Sequence, residues 1–202
     1  DLFLKSVKAA HARGYRVSGH VPLEITIHEL TEAGYTSVEH ATYLLQLGGD
    51  EPTIQAQLRE GKITREQAES LYSSTFDQQR AITEYRKLGV RGLFVCPTLI
   101  GSYQLAYLNE IDHSKDVFLN YLTEKYVSNY QWRIHRMANE TEVQRQMRKD
   151  RFDLVKKQLP LLQQSGIQLI AGSDAAALNT YVYPAESLLQ ELEIFQQSGL
   201  TP

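Results

Sequence analysis

The sequence predicts an α/β fold, with parallel strands joined by right-handed helical crossovers. Three observations carry that prediction. Short runs at 15–20 (Tyr-Arg-Val-Ser-Gly-His), 36–40 (Thr-Ser-Val-Glu-His) and 168–174 (Gln-Leu-Ile-Ala-Gly-Ser-Asp) read as strands covered on both faces, the last with no polar alternation. Each run follows a helical segment closed by a glycine, Gly14, Gly34 or Gly166, and a glycine there supplies the left-handed turn that leads a helix into a sheet. Each run also ends on a side chain able to hold a metal, at the carboxyl end of the strand, where α/β barrels carry their chemistry.

Taken in order, residues 1–14 read as a helix with Leu2, Leu4, Val7 and Ala10 at apolar positions, stopped by Gly14. Strand 15–21 leads out through Pro22, a helix over 25–33 closes at Gly34, and strand 36–41 follows. The glycine-rich stretch 44–61 is expected to be a polar loop around one short helix. Thr64 with Gln67 forms a capping box that opens a helix running to Leu88, which Gly89 stops before a strand at 92–97. An aromatic-rich loop is expected at 98–113 and a helix at 114–137, with Val117, Phe118, Tyr121, Leu122 and Tyr126 at helical spacing. Asn139 with Glu142 should cap a charged helix that reaches Gln164, and Pro160 should kink it or split off its last turn. Strand 168–174 and a helix over 185–198 end the chain. Four strands make half of an eight-stranded barrel, which takes about 250 residues; a small open sheet is the rival architecture.

Composition narrows the function. At 202 residues and 42% apolar content the chain can bury one substantial core. A net charge of -3 offers no electrostatic case for nucleic acid or an anionic membrane. The single cysteine, Cys96, excludes an internal disulfide framework and a cysteine-cluster zinc site. No apolar run approaches the roughly 20 residues that span a bilayer, and the first residues do not form a signal peptide. The chain opens within a helix without an initiator Met, and 199–202 (Gly-Leu-Thr-Pro) reads as a helix stop followed by a new cap and an N1 proline. The expectation is a piece of a longer chain.

His20 and His40 are the first candidates for chemistry. A lone histidine is usually a surface or structural residue, but these two lie at equivalent points of consecutive units, each six residues after its glycine. Adjacent strands are about 4.8 Å apart, so side chains at matching strand ends can share one ion. Asp174 is the third candidate, against the alternative of an ordinary cap or Asx turn. A carboxylate beside a metal can also accept the proton of its bound water.

With these residues in view, the chain resembles the amidohydrolase superfamily, in its imidazolonepropionase-like and prolidase-like branch. The matching motifs are Val-Ser-Gly-His-Val-Pro at 17–22, Ser-Val-Glu-His-Ala at 37–41, Cys-Pro-Thr-Leu at 96–99 and Ala-Gly-Ser-Asp-Ala at 171–175, together with the tail from Glu191-Leu192 to 199–202. The resemblance implies strands five to eight of a (β/α)8 barrel, with helical insertions at about 44–88 and 100–165. It implies His20, His40 and Asp174 as metal ligands, Asp174 also as general base, and a divalent metal, zinc by preference, with one or two ions in the full-length protein. It further implies hydrolysis of a C–N bond in a small amide, dipeptide or cyclic amide. One departure stands out: the family's His-x-His pair is absent, and Lys5 and Lys8 fall on the opening helix rather than at a strand end, where a bridging lysine belongs. The expectation is therefore an incomplete metal site and a chain inactive by itself.

The remaining candidates are weaker. Tyr43, Tyr103, Tyr181 and Tyr183 follow strand ends and are candidates to line a substrate pocket, with tyrosine-rich surface loops as an equal account. His11, His28, His113 and His135 read as solvated or structural, Cys96 as an inert core thiol, and the charges of 140–157 as a solvated face. The competing function is a half-barrel without chemistry that binds a ligand or another chain through exposed sheet edges. Such edges are templates for pairing, and the expectation is self-association as a two-fold dimer.

Overall fold

Glycine closes the helices that feed the sheet. The computed structural model describes residues 2–22, 24–176 and 178–201, and in it Gly14, Gly34, Gly92 and Gly166 hold φ between 72° and 103°. Asp1, at the head of the opening helix, and Pro202, the expected N1 proline, lie outside the described residues. The chain divides into two units, residues 1–97 with 157–170, and residues 98–156 with 171–202.

The first unit carries the sheet. Its strands are β1 (Val17–Gly19), β2 (Tyr35–Glu39), β3 (Phe94–Cys96) and β4 (Gln168–Leu169). They pair in the order β1-β2-β3-β4, every pair parallel, with Val38 opposite Val95 and Val95 opposite Leu169. The predicted parallel α/β architecture is present, with shorter strands than expected. Tyr15 and Arg16 stay outside β1, because the Tyr15 amide turns back to the Ala10 carbonyl. β4 ends at Leu169, five residues before Asp174. Leu93 and Val95 accept the amides of Gln168 and Ile170, and the next carbonyl in that alternation, Pro97, accepts Ala41 N–H.

Helices α1 (Leu2–His11) and α2 (Ile27–Ala33) lie against each other and β1–β2. Thr26 caps α2 in a full capping box with Glu29, so this helix starts two residues later than expected. The stretch 44–61 contains the short helix expected at its centre, but the residues before that helix are not a polar loop. A 3₁₀ segment, Ala41–Gly48, buries Leu44, Leu45 and Leu47, and α3 (Glu51–Arg59) follows. The capping box at Thr64 is present, but the single helix expected over 64–88 is two, α4 (Arg65–Ser74) and α5 (Gln78–Val90). Its break is tertiary: Asp77 N–H donates to the Gly48 carbonyl, and the Asp77 carboxylate accepts Arg80 N–H to cap α5. Ile54, Ala68 and Tyr72 form a small core between α3 and α4, while Val38, Ala81, Tyr85, Leu88, Val95, Leu159 and Leu162 are fully buried in the main one. Each large aliphatic side chain there contributes about 1.5–3 kcal/mol.

Gly89 does not end α5, which runs on to Val90 before Gly92 takes the left-handed turn. Its role is close approach: a Cβ on Gly89 would lie 2.0 Å from the Ser165 carbonyl oxygen and 3.0 Å from the Gly166 carbonyl carbon.

The second unit holds α6 (Leu99–Ala106), where a loop was expected, and α7 (Glu124–Met137). In place of the early turns of the predicted 114–137 helix there are 3₁₀ turns at His113–Lys115 and Val117–Tyr121. Thr123 caps α7, so the apolar spacing at 117–122 belongs to turns, with Val117 and Tyr121 exposed. α8 (Glu142–Gln164) runs unbroken through Pro160, and its cap is Thr141 with Gln144 rather than Asn139 with Glu142. Residues to Lys156 belong to this unit and the rest to the first. Its charges are not simply solvated, since Arg148 pairs with Glu140 and donates to the Leu105 carbonyl. α9 (Glu186–Gln197) packs on α6. There Glu191, fully buried, accepts Leu99 and Ile100 N–H at 2.9 and 2.7 Å and so caps α6 from a distance. Among the described residues no helix is long and apolar enough to cross a membrane.

Two predictions concern stability. Gly89→Ala should destabilise the fold by about 1–3 kcal/mol, because the obstructing atoms are backbone and cannot rotate away; urea denaturation measures this. Glu51, at the start of α3, is pushed up to about 7, by burial first and then by the charges of Glu84 and Glu29. A carboxyl raised in the native state holds a proton that the unfolded chain has lost, so stability should fall as pH rises from about 4.5 to 7. Glu51→Gln should flatten that fall in thermal melts across the window.

Candidate functional site

The carboxyl ends of β1 and β2 bring two imidazoles together. His20 follows β1 directly and His40 follows β2 directly, so parallel pairing of the two strands places both side chains at the same rim. Their Nε2 atoms are 2.8 Å apart and their ring centroids 4.7 Å apart. The Tyr43 ring stands beside both, at 6.0 and 6.2 Å. His20 is exposed and His40 half-buried.

Backbone contacts hold each histidine from behind. His40 N–H donates to the Cys96 carbonyl at 2.8 Å, which fixes the exit of β2 on β3. The residue sits at φ 72°, a conformation uncommon outside glycine that costs about 1–3 kcal/mol and persists only when the surroundings impose it. Cys96 is half-buried and contributes here through its carbonyl. On the other side the Tyr35 hydroxyl donates to the His20 carbonyl at 3.0 Å. Gly19 makes that contact possible, because a Cβ there would stand 2.9 Å from the same hydroxyl oxygen. Burial, then the Glu39 carboxylate, pushes the Tyr35 phenol up to about 12, so it remains a donor throughout the physiological range. Sequence reading missed Tyr35; the signal available was a tyrosine directly after the glycine that feeds β2.

Asp174 belongs to the second unit and is exposed, at φ 54°. Asn179 Nδ2 donates both to its carboxylate, at 2.9 Å, and to its carbonyl, at 2.6 Å. The Asn179 Oδ1 in turn accepts from Arg133 at 3.3 Å. Burial, then Arg136, lowers the Arg133 guanidinium from its usual range, and the Asp174 charge opposes them. Sequence reading missed Asn179, five residues beyond the carboxylate it bonds. Among the described residues, no three His, Cys, Asp or Glu side chains gather closely enough to hold one ion.

Of the four candidate tyrosines, Tyr43 alone adjoins the histidine pair. In the second unit Tyr103 meets the Tyr107 ring at a tilt and the Phe152 ring edge-on. In the same unit Tyr181 lies flat on His113, and Tyr183 donates to Asp116 at 2.7 Å. Among the other histidines, His11 packs where a Cβ on Gly34 would otherwise go, and His28 bonds Glu84 at 2.9 Å. His113 is buried rather than solvated.

No family model matches the sequence, and no curated protein sequence does. Among solved structures, the bottromycin amidohydrolase AH matches with a TM-score of 0.67 and 19% identity, over 96% of this chain. The chain spans 39% of the length of that protein. A likeness at this identity shows a shared fold.

Tyr35→Phe should cost about 1 kcal/mol, the net worth of one hydrogen bond, and release His20. The expected signature is a moved His20 imidazole resonance in NMR spectra, with that of His28 unchanged.

Proposed function

We propose that this chain contributes part of a metal-dependent hydrolase acting on C–N bonds of small amides, dipeptides or cyclic amides. The observation that carries the reading is the convergence of His20 and His40 Nε2 at the ends of adjacent parallel strands. The fold shared with part of an amidohydrolase supports it, as do the motifs around both histidines and Asp174. In this reading the chain corresponds to strands five to eight of a (β/α)8 barrel.

The donor set suits a divalent ion, with zinc preferred for two imidazole nitrogens. His20 and His40 would hold it. When bound, such an ion lowers the pKa of a water and polarises a carbonyl. The chain's own residues do the rest. Tyr35 and the Cys96 carbonyl keep the two imidazoles in place, so that little ordering is left for ligand binding. Tyr43 offers its ring to the apolar part of a substrate beside them. Asp174, steadied by Asn179, is an ionisable carboxylate suited to accept a proton and pass it to a leaving nitrogen.

A second reading, a half-barrel that pairs through its sheet edges without chemistry, is favoured by one observation, that β1 and β4 are the outer strands. Against it, strands of three and two residues offer few backbone groups for pairing.

Metal titration separates the two. Calorimetry with Zn²⁺ should show one ion bound to the chain, with binding lost in His20→Ala and in His40→Ala and retained in His135→Ala. Equal Zn²⁺ uptake by the unaltered chain and a His20→Ala/His40→Ala double variant would remove the basis of the hydrolase reading.

A further inference from the structure

In the second unit, α7 carries Arg133 and Arg136 three residues apart, which makes them neighbours on the helix surface, with Cβ atoms about 5–6 Å apart. Both guanidiniums lie over the Trp132 ring, their Cζ atoms 5.6 and 5.5 Å from its centroid. Burial, then the Arg136 charge, lowers the Arg133 guanidinium from its usual range. Like charges at this spacing repel, and acids offset that repulsion elsewhere in the unit. On α8, Arg145 pairs with Glu142 and Arg148 with Glu140. Among the described residues no carboxylate lies within ion-pair distance of Arg133 or Arg136.

The donors left over are open to solvent. Arg133 is half-buried and Arg136 exposed. Of the Arg133 nitrogens, Nε is closed off and Nη2 donates to the Asn179 Oδ1 at 3.3 Å, which leaves Nη1 as the open donor. The bond to Asn179 also orients this guanidinium, because Asn179 is held from its other end by Asp174 at 2.9 Å. Arg136 has no hydrogen bond among the described residues. Trp132 is 48% exposed, so indole surface remains open beside both cations. Two guanidiniums against the one Asp174 carboxylate leave a single positive charge unmatched. Arginine binds oxyanions through paired, charge-assisted hydrogen bonds, and one unmatched charge suits a monoanion better than a phosphate dianion.

We propose that Arg133, Arg136 and Trp132 form a binding site for a small monocarboxylate with an apolar body. The carboxylate accepts from Arg133 Nη1 and from the Arg136 guanidinium, and the apolar chain lies on the exposed indole. An exposed ion pair alone is worth little. Here Asn179 orders Arg133 before the ligand arrives, and the indole buries part of the ligand's apolar surface, so both ends of the ligand are held. The site does not rest on the hydrolase reading, in which neither arginine takes part.

Trp132 is the single tryptophan of the chain, so intrinsic fluorescence reports on the site directly. The experiment titrates the full chain with hexanoate, with hexanamide, which has the same length without the charge, and with inorganic phosphate. Hexanoate should change the emission saturably and bind about fivefold or more tightly than hexanamide, the preference that charge-assisted hydrogen bonds supply. It should also bind more tightly than phosphate. Arg133→Gln and Arg136→Gln should each reduce the preference for hexanoate over hexanamide, and the double variant should lose it. The unaltered chain decides the matter even if a variant fails to fold. Equal binding of hexanoate and hexanamide, phosphate bound as tightly as hexanoate, no saturable change with any of the three, or a preference that survives in the double variant would each overturn the proposal.

Discussion

One hydrogen bond reorganises the rim of the sheet. The Pro97 carbonyl stands next in the series that carries β4, after Leu93 and Val95, yet it accepts Ala41 N–H. Together with the bond from His40 N–H to Cys96, this fastens the exit of β2 to the exit of β3 by two consecutive amides. The backbone can make both only by bending sharply at His40, and the positive φ of that residue is the result. An unfavourable backbone conformation at His40 is therefore offset by two main-chain hydrogen bonds, and the imidazole is left aimed at His20.

Non-glycine residues in the left-handed region recur at the strand exits, at His40 after β2, Thr98 after β3 and Asp174 after β4. Thr98 is the most demanding, because a β-branched side chain is poorly tolerated there. What holds that turn is visible in the second unit, where Glu191 receives the first two amides of α6. Burial pushes this carboxyl up to about 7, and the backbone donors at Leu99, Ile100 and Thr98 oppose the shift. A carboxylate at a helix N-terminus also meets the positive end of the helix dipole, which favours its ionised form.

The second unit relies on a polar network more than the first does. Asp116 gathers the donors of His113 and Tyr183, and the Tyr126, Tyr181 and Tyr183 rings pack on Tyr130. Burial, then the bond to Asp116, raises the Tyr183 phenol well above its usual range, which keeps the proton on tyrosine. Such a network orders a region that has no sheet of its own, because each partner is satisfied in only one arrangement.

The parallel sheet, the turns at Gly14, Gly34 and Gly166 that lead into it and the equivalence of His20 and His40 were legible in the sequence, whereas α5 closes at Gly92 and not at Gly89. They depend on local rules, the left-handed freedom of glycine and the spacing from a turn to a strand end. The capping box at Thr64 was legible for the same reason. What the sequence left open depends on partners far along the chain. The break between α4 and α5 is imposed by Gly48, and the hold on His20 by Tyr35. His113 read as unremarkable because its meaning comes from Tyr181 and from the Tyr183 hydroxyl on Asp116, 67 residues further along the chain. Asp174 was visible as a carboxylate after a strand, but the Asn179 and Arg133 that steady it were not. Local spacing determines which segment becomes helix or strand; only packing brings together polar groups that must be buried, and burial compels them to find partners.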